Sequence, residues 1–261
     1  MALNSVMNTR LLREAGFERI FIQPAASDAG NALGAAQWLW HHRLGRPREQ
    51  AMEHAFWGPE FGARVCEEAL ERRGLRAEQV ADAPAEAARL LADSRIVGWF
   101  QGRAEVGPRA LGARSILADP RRAEMKDVVN QRVKRREPFR PFAPSVLDER
   151  GPQWFDGYSP NPFMLLVLPV LPERRERIPA VTHVDGSARL QTVSEGSNRA
   201  FHRLIAEFER RTGVPVVLNT SFNLRGEPIV LRPDEAIHDF LASDMDALFL
   251  GDLLVRKPAR G

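Results

Sequence analysis

Three arginines spaced through glycine raise the first question of chemistry. In GWFQGRAEVGPRALGARSIL, Gly98 to Leu117, Arg103, Arg109 and Arg114 are set among Gly102, Gly107 and Gly112, with Ser115 directly after the last of them. Guanidinium groups hold phosphate and carboxylate through a fixed fork of donors, and glycine lets backbone close on a ligand. The stretch therefore predicts an anion site. In VKRREPFRPFAPS, Lys134, Arg136 and Arg140 alternate with Phe139 and Phe142. Lys134 and Arg136 are two apart and on a strand would share one face, which calls for an anion between them. In VVLNTSFNLRGEPIV an apolar run ends in Asn219, Thr220, Ser221 and Asn223. Small donors and acceptors at a strand end suit an amide, a carboxylate or a ribose, and equally a polar turn. THVDGSARLQTV adds His183, Asp185 and Arg189; a lone histidine there reads as structural more often than catalytic.

Charge distribution supports the anion reading. Between Gln101 and Arg140, nine Arg and two Lys stand against two Asp and three Glu, a net of +6, while the whole 261-residue chain carries only +3. Such a patch favours a nucleotide, a phosphorylated small molecule or RNA. Other classes lack their signatures. There is no Walker loop and no dinucleotide fingerprint, no zinc spacing of Cys and His, and no nucleophile elbow. His41 and His42 are adjacent rather than one helical turn apart. No apolar run reaches transmembrane length. The single cysteine, Cys66, excludes an intrachain disulfide and fits inert core and a cytoplasmic setting.

The elements that must position these residues follow from pattern. Asn4 can cap a helix ending near Ala15, with Gly16 as its stop. ERIFIQP predicts a short strand, and Ser27 or Asp28 can cap a helix running to Gly45. Helices are expected near Glu60–Arg73 and Pro84–Ser94, with an Ala-rich linker over 81–94. Beyond it, short apolar strands are predicted at Ile96–Phe100, Ser115–Ala118, Phe163–Val167, Leu190–Val193, Val214–Asn219 and Ala247–Leu250. Helices are interposed near Arg121–Val133, Asn198–Arg211 and Pro233–Ala242. Proline recurs from Pro138 to Pro179 and implies long irregular connections. The order is that of an α/β or α+β domain.

Four segments, FQGRAEVGPRALGARSILADPR, KDVVNQRVKRREPFRPFAPSVL, THVDGSARLQTV and NTSFNLRGEPIV, resemble successive motifs of the O-carbamoyltransferase family. Members include nodulation-factor carbamoyltransferases and antibiotic-tailoring enzymes. The resemblance covers nearly all of residues 95–255, and residues 2–36 resemble the end of the family's other domain. It implies a YrdC-like open twisted sheet domain over 95–261, preceded over 1–80 by a C-terminal remnant of an actin-like, sugar-kinase-like ATPase domain. In that family ATP and carbamoyl phosphate yield carbamoyl-adenylate, and the carbamoyl group then moves to a hydroxyl acceptor of the sugar or antibiotic type.

Carried over residue by residue, the resemblance implies catalytic roles for Arg109, Lys134 and Arg136. Arg103, Arg114, Ser115, Arg140, Arg189, Asn219, Thr220, Ser221 and Asn223 would bind ATP and carbamoyl phosphate. Lys134-x-Arg136 is similar to the anion clamp of the YrdC fold, and Ser221-Phe222-Asn223 to its Ser-Ala-Asn element. Asp28 matches the last ligand of a divalent metal, Fe or Mg. Two positions depart from the pattern: Arg135 where an aromatic is usual, and Ala113 where Asn is common. The metal-binding histidines have no counterpart before Asp28, so a C-terminal fragment or split-gene product is expected, with a separate chain able to supply the other module. Two rival readings are an RNA-binding YrdC-like module and a threonylcarbamoyl-adenylate synthase. GPRALG favours the carbamoyltransferase, and the absence of an aromatic stacking platform disfavours RNA.

Overall fold

Among the described residues, five strands are buried at every position. β2 (Val97–Phe100), β3 (Arg114–Ala118), β4 (Ala143–Leu147), β7 (Gln191–Val193) and β9 (Ala247–Leu250) are buried along their whole length. Successive side chains point to opposite faces, so both faces of this sheet are covered. The computed structural model describes residues 1–48 and 51–257. With β1 (Glu78–Gln79), β8 (Val216–Ser221) and β10 (Leu253–Arg256), the strands order as β1-β10-β9-β2-β3-β8-β4-β7. The pairs β2–β9 and β4–β7 are parallel and the others antiparallel. This is a mixed α/β fold. β5 (Leu168–Pro169) and β6 (Ser187–Ala188) form a separate small antiparallel pair.

Register decides where function can gather. Ser115 pairs with Ser221, Ala143 with Asn219, and Ser145 with Gln191. β3, β4 and β7 therefore enter the sheet at the end where β8 leaves it. The segments carrying Arg109, Arg136, Arg140 and Arg189, and the 221–223 turn, all converge on that end.

Two helix pairs cover the sheet. α6 (Arg199–Thr212) buries Phe201, Leu204, Ile205 and Phe208, the i, i+3, i+4, i+7 stripe of an amphipathic helix. The Asn198 side chain caps it, accepting from Phe201 N at 3.1 Å, and Gly213 closes it at φ +70°. α6 packs on α4 (Ala83–Ala92), while α3 (Ala63–Glu71) packs on α7 (Pro233–Ala242). The helix expected near Pro84–Ser94 forms as α4, within the stretch 81–94 that its composition also marked as a linker, with Ala87, Ala88 and Leu91 inaccessible to solvent. Alanine made it look like a spacer, but it is what lets two helices approach closely. β1 likewise joins residues before 80 to the sheet through β10.

The N-terminal helix α1 (Ser5–Glu14) starts as predicted, with Asn4 Oδ1 accepting from Met7 N at 3.0 Å. It lies on the 163–167 segment, where a strand was expected and none forms. Side chains take the backbone groups that a ladder would use. Leu165 N donates to Asn161 Oδ1 at 2.9 Å, Val167 N to Thr9 Oγ1 at 2.8 Å, and Asn8 Nδ2 donates to Leu165 O at 3.1 Å. ERIFIQP is no strand either; Ile22 packs with Leu3, Phe163 and Leu165 in a second, smaller core. β4 was missed because Pro144 argues against a strand. Pairing with β7 begins only at Ser145, so Pro144 precedes that ladder.

After one tight turn at Asp28–Gly30, α2 (Asn31–Trp38) runs into a wide turn at Leu39–Arg43. α2 buries no residue, and Trp38, Leu39, Trp40 and Leu44 are half exposed or more. That is an uncovered apolar face. No helix among the described residues is long and apolar enough to cross a membrane.

Candidate functional site

At the converging strand ends lies a cleft of about 370 Å³, with Arg109, Arg136, Arg140 and Arg189 around it. Phe142, His183, Asp185, Ser187 and the first turn of α1 complete its wall. Arg109 and Arg189 are the unusual members. Each has a buried Nε without a partner, and among the described residues neither forms a hydrogen bond or an ion pair. Burial, and then the charges of Arg109 and Arg136, push Arg189 down to about 10. Burial also lowers Arg109. Burying cations without counter-ions is costly, and a bound anion would relieve that cost.

Arg136 is held more firmly. Its Nε donates to Asn130 Oδ1 at 2.7 Å, and its guanidinium lies 4.6 Å from the centre of the Phe142 ring. Arg140 pairs with Glu137 at 3.2 Å, at the exposed rim. His183 Nδ1 is 3.4 Å from Ser187 Oγ, which donates to Asp185 at 2.6 Å. Burial lowers the pKa of His183 while Asp185 opposes it. Reading His183 as structural placed it outside the site; the structure puts it in the cleft wall.

The loop that presents Arg109 is organised by a residue that sequence reasoning passed over. Glu105 Oε1 accepts from the backbone of Leu111 at 2.6 Å, Ala113 at 3.1 Å and Arg114 at 3.3 Å. Behind the loop, Gln191 Nε2 donates to Leu111 O at 2.8 Å and Asn219 Nδ2 to Ala110 O at 3.2 Å. Gly112 sits at φ +101°, where a Cβ would meet the Phe201 ring at 2.2 Å. A lone carboxylate inside an otherwise basic, glycine-rich loop was the available signal for Glu105. Glu105→Ala is expected to lower stability by about 2–4 kcal/mol, as buried donors lose their shared acceptor; urea denaturation measures it.

Several expected ligand residues do other work. Arg114 is fully buried, stacks 3.6 Å from the Phe100 ring centre, and donates to the carbonyls of Gln101, Ala113, Gly102 and Pro59 at 2.9 to 3.4 Å. It is a backbone clamp, away from the cleft. Arg103 is exposed and donates to Trp57 O at 3.0 Å. Ser115 Oγ is buried and accepts from Gly112 N at 3.1 Å. Asn219 is buried in a network with Ser145 and Gln191 at 3.0 Å each. Thr220 sits in the β3–β8 ladder opposite Ile116 and does not line the cleft.

Lys134 and Arg136 are not on a strand and do not share a face. Lys134 ends a wide helical turn, and Arg135 takes a left-handed conformation at φ +45°, which separates their directions. Lys134 Nζ donates to Ser221 O and Asn223 O at 2.9 Å and to Asn223 Oδ1 at 2.6 Å. The Lys-x-Arg and Ser-x-Asn motifs do meet, but through Lys134 alone. Burial, and then Arg136, push Lys134 down to about 7 against the pull of Asp239. Asp28 is exposed, and among the described residues no cluster with metal-ligand spacing includes it. One carboxylate does not make a metal site.

Against known proteins, the family model described as carbamoyltransferase C-terminus matches residues 88–257. The chain belongs to the carbamoyltransferase family. The family's N-terminal model matches residues 1–37. Nodulation protein NolNO of Sinorhizobium fredii is 49% identical over 98% of this chain and 39% of its own length. Nodulation protein NolO of Bradyrhizobium diazoefficiens is 46% identical over 98% of this chain and 48% of its own. The chain thus spans less than half the length of either relative. Full-length HypF, solved in a phosphate- and nucleotide-bound form, aligns at TM-score 0.44 and 16% identity over 68% of this chain and 21% of that one. That likeness is too distant to carry an argument.

Proposed function

We propose that this chain carries the donor-activating site of an O-carbamoyltransferase, in a YrdC-like domain. Carbamoyl phosphate, ATP and one water would become carbamoyl-adenylate, phosphate and pyrophosphate, and the carbamoyl group would pass to a hydroxyl acceptor. The observation that carries this is the pair of partly buried arginines, Arg109 and Arg189, each with a buried and unpartnered Nε, facing a cleft that Arg136 and Arg140 also line. Four cations suit a phosphorylated donor and the polyphosphate leaving group, whose growing charge they would neutralise. Lys134 would act at one remove, fixing the 221–223 turn. Since Asp28 stands alone, no step is assigned to a metal. Acceptor recognition would belong to a further module, in the same polypeptide or a partner chain, docked on the exposed face around Trp38 and Trp40.

The test is exchange of labelled pyrophosphate into ATP by the purified chain. Exchange is expected only when carbamoyl phosphate is present and should fall about tenfold or more in Arg109→Gln. Exchange that ignores carbamoyl phosphate would overturn the reading.

A further inference from the structure

Outside the arginine cleft, a second set of titratable groups gathers with Lys134 as a neighbouring cation. Glu227 follows the 221–223 turn, and His238 and Asp239 lie on α7. One ligand atom of each lies within 4.8 Å of the other two. All three line an open cavity of about 380 Å³. The other acids around it are occupied. Asp234 pairs with Arg72 at 2.8 Å, and Glu235 accepts from the backbone of Leu231 at 2.6 Å and Arg232 at 3.0 Å. Glu227 and Asp239 form no ion pair among the described residues.

Asp239 is the telling member. It is only 2% exposed, and its Oδ2 has no hydrogen-bond partner. Its carboxyl oxygen lies within 4.8 Å of a carboxylate oxygen of Glu227. Two carboxylates in that arrangement need a proton or a cation between them. We propose that Glu227, His238 and Asp239 bind one divalent transition-metal ion, with water from the open cavity completing its shell.

Donor chemistry selects the class of ion. Two carboxylates with one imidazole suit Mn²⁺, Fe²⁺ or Zn²⁺, whereas Ca²⁺ and Mg²⁺ favour oxygen alone. Metal–ligand bonds of about 2.0–2.2 Å put opposite ligands about 4.2 Å apart, so the present spacing closes with small rotations. Glu227 and His238 are exposed and free to make them. The ion would be a positioning element. Asn223 Nδ2 donates to Glu227 O at 2.6 Å, and Asn223 also receives Lys134 Nζ. Binding would therefore tie α7 to the turn that seats Lys134.

The test uses the whole chain, stripped with chelator and free of nucleotide. Mn²⁺ is titrated with electron paramagnetic resonance of the free ion as readout, alongside thermal denaturation. One Mn²⁺ per chain and a rise in melting temperature are expected. Glu227→Gln, His238→Gln and Asp239→Asn should each weaken binding at least tenfold and abolish the rise. The first two are surface changes, so they keep the test decisive if Asp239→Asn fails to fold. No saturable binding, or equal binding in Glu227→Gln and His238→Gln, would overturn the site and leave a proton shared between the carboxyls. Loss of binding in Asp28→Asn with the three variants unaffected would place the ion elsewhere and equally overturn it.

Discussion

Replacing Arg189 with Gln is expected to weaken carbamoyl phosphate binding about ten- to a hundredfold while leaving the melting temperature unchanged or raised. The two effects have one cause. Arg189 is partly buried, its buried Nε has no partner, and Arg109 and Arg136 repel it. In the unliganded protein its charge is a cost, so removing it relieves like-charge repulsion. In the complex it makes a charge-assisted contact worth roughly 1.5–3 kcal/mol, and each 1.4 kcal/mol is about tenfold in affinity. Calorimetric titration with carbamoyl phosphate, and with pyrophosphate as a second probe, measures the first effect; a thermal melt measures the second. Unchanged affinity would remove Arg189 from the site. A large drop in melting temperature would show that it holds the fold instead.

Arg114→Met is expected to do the opposite. Four carbonyls lose their donor at once, around a side chain that is itself fully buried. Leaving buried polar groups unpaired costs about 1–3 kcal/mol each before relaxation, and breaking a buried charged network costs about 3–5 kcal/mol in all. At about 2–4 °C per kcal/mol for a chain of this size, the melting temperature should fall on the order of 10 °C. Any protein that remains folded should keep its anion affinity. A stable variant with lost affinity would return Arg114 to the ligand site.

That contrast marks how far the residues could be read. Arg109, Arg136 and Arg140 could be grouped from the string by guanidinium chemistry and charge density, and Arg189 by the family resemblance; the structure sets all four around one cleft. Arg114 carried the same signature for a different reason: its partners are main-chain oxygens, and carbonyls leave no trace in composition. Glu105 was hidden likewise, since its partners are backbone N–H groups of its own loop. Lys134 failed through local conformation: a helical turn closing in a left-handed residue removed the two-residue period on which its shared face with Arg136 rested. Among elements, α6 and α7 were legible from period and caps, and β2, β3, β7 and β9 from apolar runs. The 163–167 segment was equally apolar, but Asn161 and Thr9 satisfy its backbone from a distance. β1 and β10 are short and pair across the whole chain, so nothing local announced them.

That last pairing has a consequence for synthesis. Val97 in β2 meets Ala247 in β9, and Glu78 in β1 meets Leu254 in β10. A nascent chain emerging N-terminus first can form α1, α3 and α4 early, yet β2 lacks one of its two neighbours until residue 250 has left the ribosome. At roughly 5–20 residues per second, the gap between β2 and β9 is an interval of about seven to thirty seconds. During it, one edge of a fully apolar strand stays open to other chains. Expression at lowered translation speed, or from genes ending before Ala247, should therefore divert this protein into aggregates although every arginine of the cleft is still encoded.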